Sequence, residues 1–331
     1  MVDFEEIIGH RSPIQILKNM IKLDRIGHAY LFSGKKGIGK RLVAIAFSKA
    51  INCTQLSEEQ DPCNHCLSCQ KIEKGLSPDF NMILPIDDTI KIDQIREIKK
   101  NIYFKPLENR EKIVMIDDAD KMTIEASNAL LKILEEPPEF AVLILISAFP
   151  DALLPTILSR CCHLLFKPLE IEQQREIMMR ILPLLPKNQL ENILKIFYGS
   201  PGKAMNYLSN QDKMAFKDYF IERIAKTKPG EFLEFLFHPE KMIPDITHSF
   251  KDFVDLVILW FHDVFFLQVG MGESHLFFQE EMDKIQEYAQ YYSKERVMMI
   301  LEYFTKIPEE LKKHIQPSAL LENIFILLGD K

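Results

Sequence analysis

Between residues 29 and 166 the chain carries five short, nearly uninterrupted apolar runs, separated by stretches in which apolar residues recur every three or four positions. The runs are Ala29–Ser33, Phe80–Leu84, Lys112–Ile116, Ala141–Ser147 and His163–Phe166. Continuous apolar runs of this length fit strands buried on both faces, and their alternation with helical periodicity predicts a parallel sheet covered by helices. From Leu169 onward no strand pattern appears. The remainder has helical periodicity, with breaks predicted at Pro183, Pro186, Gly199-Ser-Pro-Gly202, Pro229-Gly230, Pro239, Pro244, Pro308 and Pro317. The expected fold class is α/β, with a five-stranded parallel sheet in residues 1–168, a small helical domain in 169–208 and an all-helical domain in 209–331.

Composition narrows the function. The chain has 331 residues, 47% hydrophobic and 27% charged, which is enough apolar material for more than one buried core. A net charge of −7 argues against a protein that grips nucleic acid with its whole surface, so any DNA contact would be local or supplied by a basic partner. The opening residues have neither the basic region nor the apolar run of a signal peptide. The most apolar later stretch, Phe253 to Gly270, is interrupted by Asp255, His262 and Asp263, which predicts a buried helix rather than a membrane span. No membrane partner is expected, and the expected location is cytoplasmic.

Directly after the first run comes Gly34-Lys-Lys-Gly-Ile-Gly39-Lys40-Arg41, followed by the helical Leu42–Ala50. Strand, glycine-rich turn and helix form a phosphate loop: Gly34, Gly37 and Gly39 let backbone N–H groups converge on an anion, and Lys40 would reach the terminal phosphates. The motif calls for Ser or Thr after the lysine, because that hydroxyl coordinates Mg²⁺. Arg41 stands there instead and cannot ligate a cation. With Lys35, Lys36 and Lys40 the loop retains the charge to attract an anion, which leaves ATP binding open, but it lacks the equipment for metal-assisted hydrolysis. A loop kept only as scaffold is the competing reading. The run ending at Ile116 leads into Asp117-Asp118-Ala119-Asp120, which sets carboxylates at the C-terminal edge of the sheet beside that loop. These acids would complete a degenerate nucleotide site or merely solvate a strand end.

Six cysteines are present, and four of them, Cys53, Cys63, Cys66 and Cys69, follow a C-x9-C-x2-C-x2-C spacing. Two-residue spacers let thiolates converge on one ion, and four protein ligands leave no open position, so the spacing predicts a structural Zn²⁺. His65 replacing one cysteine, or a remnant without metal, are the alternatives. Cys161 and Cys162 fall at a strand start and are expected to face opposite sides of the sheet.

Phosphate loop, four-cysteine insertion and acidic strand, in that order, resemble the clamp-loader branch of the AAA+ proteins of bacterial DNA polymerase III. Asn128 to Pro138 resembles the helix that follows the family's acidic motif, and Leu153 to Cys161 is similar to the segment carrying its Ser-Arg-Cys motif. Ser147 sits where the first nucleotide sensor is expected, and Gly199 to Ala204 resembles the second sensor, with Gly202 in place of its arginine and Lys203 beside it. The resemblance covers roughly residues 5 to 208, and the rest agrees in being helical. It implies an AAA+ domain, a helical lid and a helical collar for the three predicted domains.

In working ATPases of the family the second acid is usually Glu, where this chain has Asp118. Arg41, Asp118 and Gly202 all depart from the hydrolysing pattern, whereas Arg160 keeps it. In the family an arginine there reaches into the neighbouring subunit's ATP site, so the resemblance implies a non-hydrolysing member that donates Arg160 in trans. The implied partners are delta and tau/gamma subunits, and through the complex the sliding clamp and primed DNA. Two other readings compete. An active ATPase of the tau/gamma type would explain the retained Lys40 and Asp117, although no stretch after the helical region is expected to serve as tau's polymerase- or helicase-binding extension. A zinc-dependent nucleic-acid-binding module would use the basic stretch Arg96, Lys99, Lys100 and Lys105, which a solvated helix face explains more simply.

Overall fold

A computed structural model of the chain describes residues 2–185, 187–209, 211–228, 230–271, 276–312 and 316–329. The chain forms two compact units, one running to Leu185 and including Phe197–Lys203, the other made from the residues between those two pieces and from Ala204 onward.

The first unit is built on β1 (Ala29–Ser33), β2 (Phe80–Ile83), β3 (Lys112–Ile116), β4 (Ala141–Ser147) and β5 (Cys162–Leu165). They form one sheet in the order β2-β3-β4-β1-β5, and every neighbouring pair is parallel. The expected strands are found, with β2 ending one residue earlier and β5 shifted by one. The helices are α1 (Arg11–Lys22), α2 (Lys40–Asn52), α3 (Leu67–Glu73), α4 (Ile92–Ile102), α5 (Ile124–Glu135), α6 (Pro155–Leu158) and α7 (Ile171–Ile181).

Every residue of β1, β3 and β4 is buried, so both faces of the sheet are covered. Tyr30, Phe32, Ile113, Met115 and Ile144 pack with Val43 and Phe47 of α2 on one face. Leu31, Val114, Ile116, Leu143 and Leu145 pack with Ile95 of α4 and Leu130 and Ile133 of α5 on the other. This two-sided burial is why the strands read as apolar runs rather than alternating ones. Cys162 adjoins the first of these clusters and Cys161 the second, one on each side of the sheet. Because β3, β4 and β1 are adjacent and parallel, the segments leaving their C-terminal ends gather at one edge.

Among its described residues the second unit contains helices and no strand. It contains α8 (Lys187–Ile196), α10 (Gln211–Lys226), α11 (Ile246–Gln268), α12 (Met282–Tyr291), α13 (Lys294–Lys312), α14 (Pro317–Gly329) and most of α9 (Pro201–Ser209). Phe253, Val257, Trp260 and Phe261 of α11 are buried with Val297, Ile300 and Phe304 of α13 and Leu321 and Phe325 of α14. No described helix is long and apolar enough to cross a membrane.

The predicted break at Pro308 does not occur, because α13 runs through that position to Lys312. A proline inside a helix removes one N–H and crowds the carbonyl four residues back. Here the buried Val297, Ile300, Phe304 and Ile307 hold the helix against its neighbours, so packing outweighs the local penalty. The breaks predicted at Pro186 and Pro229 lie outside the described residues.

One buried acid ties α11 to the segment before α12. The carboxylate of Asp263 is fully buried in α11 and accepts from the N–H groups of Phe277 and Phe278, both at 2.8 Å. Asp263→Ala would strand the buried Phe278 N–H and the partly buried Phe277 N–H, a fully buried donor costing roughly 1–3 kcal/mol. We therefore expect a loss of roughly 2–5 kcal/mol in a urea melt followed by the fluorescence of Trp260, the sole tryptophan. An unchanged midpoint would mean that water satisfies those amides.

Candidate functional site

The segment from Ser33 to Lys40 leaves β1 and enters α2 with Gly34, Gly37 and Gly39 all at positive φ (147°, 80° and 105°). At Gly34 the requirement is steric as well, because a Cβ there would lie 2.2 Å from the carbonyl oxygen of Phe166. The Gly34 N–H donates to the Ser147 carbonyl at 3.2 Å, which ties the loop to the end of β4.

Lys40 is buried, and its ammonium turns back onto the loop, donating to the carbonyls of Gly34 and Lys35. Burial pulls its pKa down to about 8, against the attraction of Asp117, Asp118 and Asp120. Asp117 and Asp118 stand at the end of β3, as expected. Arg41 approaches Asp117 at 3.3 Å and Lys36 approaches Asp118 at 2.6 Å. Burial pushes the Asp117 carboxyl above its usual range, and the Arg41 charge partly counteracts it. Asp118 adopts the left-handed conformation (φ 51°) that turns the chain out of the strand. Ser147, at the end of β4, donates to Asp120 at 2.7 Å. The structure therefore brings together Gly34, Gly37, Gly39, Lys40, Asp117, Asp118 and Ser147 at one edge of the sheet. Asp117 and Asp118 each have a basic group of the loop region as a partner, whereas Asp120 is met by Ser147.

Arg160 does not join them. It precedes β5, whose first residue Cys162 pairs with Tyr30 near the start of β1, so it lies toward the opposite edge from the loop. At about 3.3 Å of rise per residue, a strand of this length separates the two edges by on the order of 15 Å. The Arg160 guanidinium donates to the Thr156 carbonyl at 3.0 Å and approaches Glu135 of α5 at 3.2 Å, with its side chain 36% exposed. The basic stretch on and after α4 is a solvated face: Arg96, Lys100 and Lys105 are exposed, and Arg96 pairs with Asp93 on its own helix.

The cysteines converge. The sulfurs of Cys53, Cys63, Cys66 and Cys69 all lie within 4.8 Å of one another. A tetrahedral zinc with Zn–S bonds of about 2.3 Å places its sulfurs about 3.8 Å apart, so the group suits that ion. Backbone N–H groups point at the sulfurs: Cys63 N at Cys53 (3.3 Å), Cys66 N at Cys63 (3.3 Å) and Cys69 N at Cys66 (3.5 Å), the last at the N-terminus of α3. Burial raises the Cys66 thiol, but N–H groups of Cys69 and Thr54 outweigh it and bring the pKa down to about 6. Burial and the neighbouring Cys66 push Cys69 up. Crowded thiols that cannot all ionise by themselves are what a dication would relieve. His65 is engaged elsewhere, through Cys63 O (2.7 Å) and Gln55 Oε1 (2.5 Å), and is not one of the four.

The family model described as DNA polymerase III, delta subunit matches residues 9–170. Subunit delta' of DNA polymerase III from Bacillus subtilis is 30% identical over 323 residues, which cover 96% of this chain and 95% of that protein. This chain belongs to the DNA polymerase III delta' family. Two other subunits of that polymerase match over part of the chain. Subunit gamma of Buchnera aphidicola is 37% identical over 216 residues, covering 62% of this chain and 58% of that protein. Subunit tau of Escherichia coli is 37% identical over 179 residues, covering 54% of this chain and 28% of that protein.

Two features of this delta' family chain had no local signal in sequence. The cysteine module is fastened to the N-terminal segment: fully buried Lys49 bonds the Val2 carbonyl and Glu73, Asp61 accepts from Phe4 N at 2.9 Å and pairs with Lys18, and Asn64 donates to Asp3. Ile72 of α3 enters the core beside Phe47. A lysine inside an apolar helix pattern suggests a partner but does not name it. The second feature is the contact of residues 198–203 with the phosphate loop, which rests on glycines 165 residues apart in sequence.

A structural ion at the cysteines should hold this fastening in place. Elemental analysis of freshly purified protein should give about one zinc per chain. Cys66→Ser should remove it and expose residues 53–74 to protease. It should also lower the melting temperature by several degrees, at roughly 2–4 °C per kcal/mol, while the far-UV dichroism of the α/β core persists. Metal-free, fully folded wild type would refute the assignment.

Proposed function

We propose that this chain is a non-hydrolysing, delta'-type subunit of a DNA polymerase III clamp loader, acting in the cytoplasm. It would assemble with delta and tau/gamma subunits, help place the sliding clamp on primed DNA, and donate Arg160 to a neighbour's ATP site. In this reading residues 1–168 are the AAA+ domain with its zinc module, 169–208 the lid and 209–331 the collar through which the subunits associate. The observation that carries it is the contrast between the two edges of one sheet. At the loop edge the acids after β3 are matched by Arg41 and Lys36, and no hydroxyl follows Lys40 to hold Mg²⁺. At the other edge Arg160 is partly exposed and held in place by Thr156 and Glu135. A guanidinium there is too far from its own loop to act on it, but is available to a phosphate on an adjacent subunit. Guanidinium suits that role because it stays charged and forks across two oxygens, which lysine cannot do.

The isolated chain should show no multiple-turnover ATP hydrolysis, and hydrolysis at the rate of an active loader ATPase would overturn the reading. Trans arginines of this kind contribute on the order of 10³ or more to turnover at the site they serve. Reconstituted with delta, tau/gamma, clamp and primed template, Arg160→Ala should assemble normally yet lower clamp-stimulated ATPase and loading. The whole-complex loss would be smaller than the single-site figure because other sites remain. Arg160→Lys should recover only part. Unchanged ATPase and loading in an assembled Arg160→Ala complex would reduce the chain to a passive member.

A further inference from the structure

The phosphate loop is covered by the chain itself. Lys35 Nζ donates to the Tyr198 carbonyl at 2.6 Å, Ser200 Oγ donates to the Lys36 carbonyl at 2.5 Å, and the Gly202 N–H donates to the Gly37 carbonyl at 2.8 Å. With Lys40 on the carbonyls of Gly34 and Lys35, four consecutive loop carbonyls accept from the protein's own donors. The loop's cations are similarly engaged: Lys35 by Tyr198, Lys36 by Asp118, Lys40 by the loop, Arg41 by Asp117.

The approach is close enough to demand glycine on both sides. A Cβ at Gly202 would lie 2.8 Å from Gly37 O and 3.0 Å from Gly37 Cα, and one at Gly37 would lie 2.6 Å from Ser200 Oγ and 2.7 Å from Lys203 N. Ser200 is fully buried. Behind it, Gly199 takes φ 77° with its Cα side against Pro168, where a Cβ would come within 2.6 Å. The covering segment is thus seated between the loop and the chain that follows β5.

We propose that residues 198–203 are a built-in plug of the phosphate loop, which occupies it with peptide and thereby excludes nucleotide. Gly202 is then a fitted contact in its own right, beyond marking a missing sensor arginine: any side chain there would lift the segment from the loop. Three contacts must break before a phosphate can enter, so the apparent affinity falls by the fraction of time the loop stands open. This inference deepens the reading of a non-hydrolysing site. It is tested by binding alone, so it can fail while the Arg160 role stands, and the reverse.

The test titrates the full chain with ADP, without added magnesium because Arg41 replaces the metal's hydroxyl. Wild type should show no saturable binding up to about 1 mM. Ser200→Ala removes one latch contact without adding an atom and should gain measurable affinity. Ser200→Ala/Gly202→Ala should bind at least about tenfold tighter than wild type. Adding Lys40→Ala should abolish the gain. Dichroism and melting establish which variants are folded. In wild type the amides of Ser200, Gly202 and Lys203 should also be protected from hydrogen exchange, and that measurement needs no variant. The proposal falls if wild type binds ADP as tightly as the opened variants, if neither folded variant gains affinity, or if those amides exchange freely.

Discussion

Carboxylates at the end of a buried strand need positive charge beside them. Asp117 follows five fully buried residues of β3, and burial alone drives its carboxyl toward the neutral form. In a metal-dependent phosphate loop that charge arrives with Mg²⁺ and nucleotide and departs with them. Here Arg41 and Lys36 supply it covalently, so the balance no longer depends on a ligand. The Arg41 side chain is about half exposed, and the pair adds little stability by itself. Its effect is on the site, because a guanidinium at Asp117 makes a cation there redundant and repels one.

The rest of that edge follows from the same condition. With the acids matched, Lys40 need not reach outward and instead ties the loop to itself. The loop then presents satisfied carbonyls to residues 198–203, and paired glycines let the two backbones approach closely. Strand order does the remaining work. Adjacency of β3, β4 and β1 gathers these groups at one edge, while the turn into β5 carries Arg160 toward the other. One sheet thus keeps a site whose charges are paired internally apart from the partly exposed Arg160.

The cysteine module relates to this core as a brace. Its helix α3 contributes Ile72 to the core face lined by α2, and an ion pair between fully buried Lys49 and partly buried Glu73 links it to α2. Breaking such a pair from one side leaves an uncompensated buried charge, so the fastening is strong in the sense of being costly to undo. Asp61, Asp3 and Asn64 extend it to the first residues of the described chain. An ion at four thiolates would act on the N-terminal segment through these contacts, at a distance from the phosphate loop.

Much of this was legible in the residues alone. Strands buried on both faces must be apolar throughout, so β1, β3 and β4 stood out as runs. Glycine spacing after β1 and thiol spacing around Cys66 stand out because anion and metal binding both impose short-range geometry. Arg41 showed by its type that the hydroxyl expected after the lysine is missing. Local chemistry stops there. That Arg41 meets Asp117, 76 residues away, depends on the register of β1, β4 and β3. That Gly202 is a contact as well as a loss depends on a backbone approach no pattern encodes. Proline at 308 predicted an end to α13, and the core of the second unit overrode it, because burial along a whole helix face outweighs one missing hydrogen bond. Sequence determined which elements and which ligand chemistries the chain carries. The tertiary structure decided which charges meet and which face outward, because pairing depends on distance in space and the fold alone sets it.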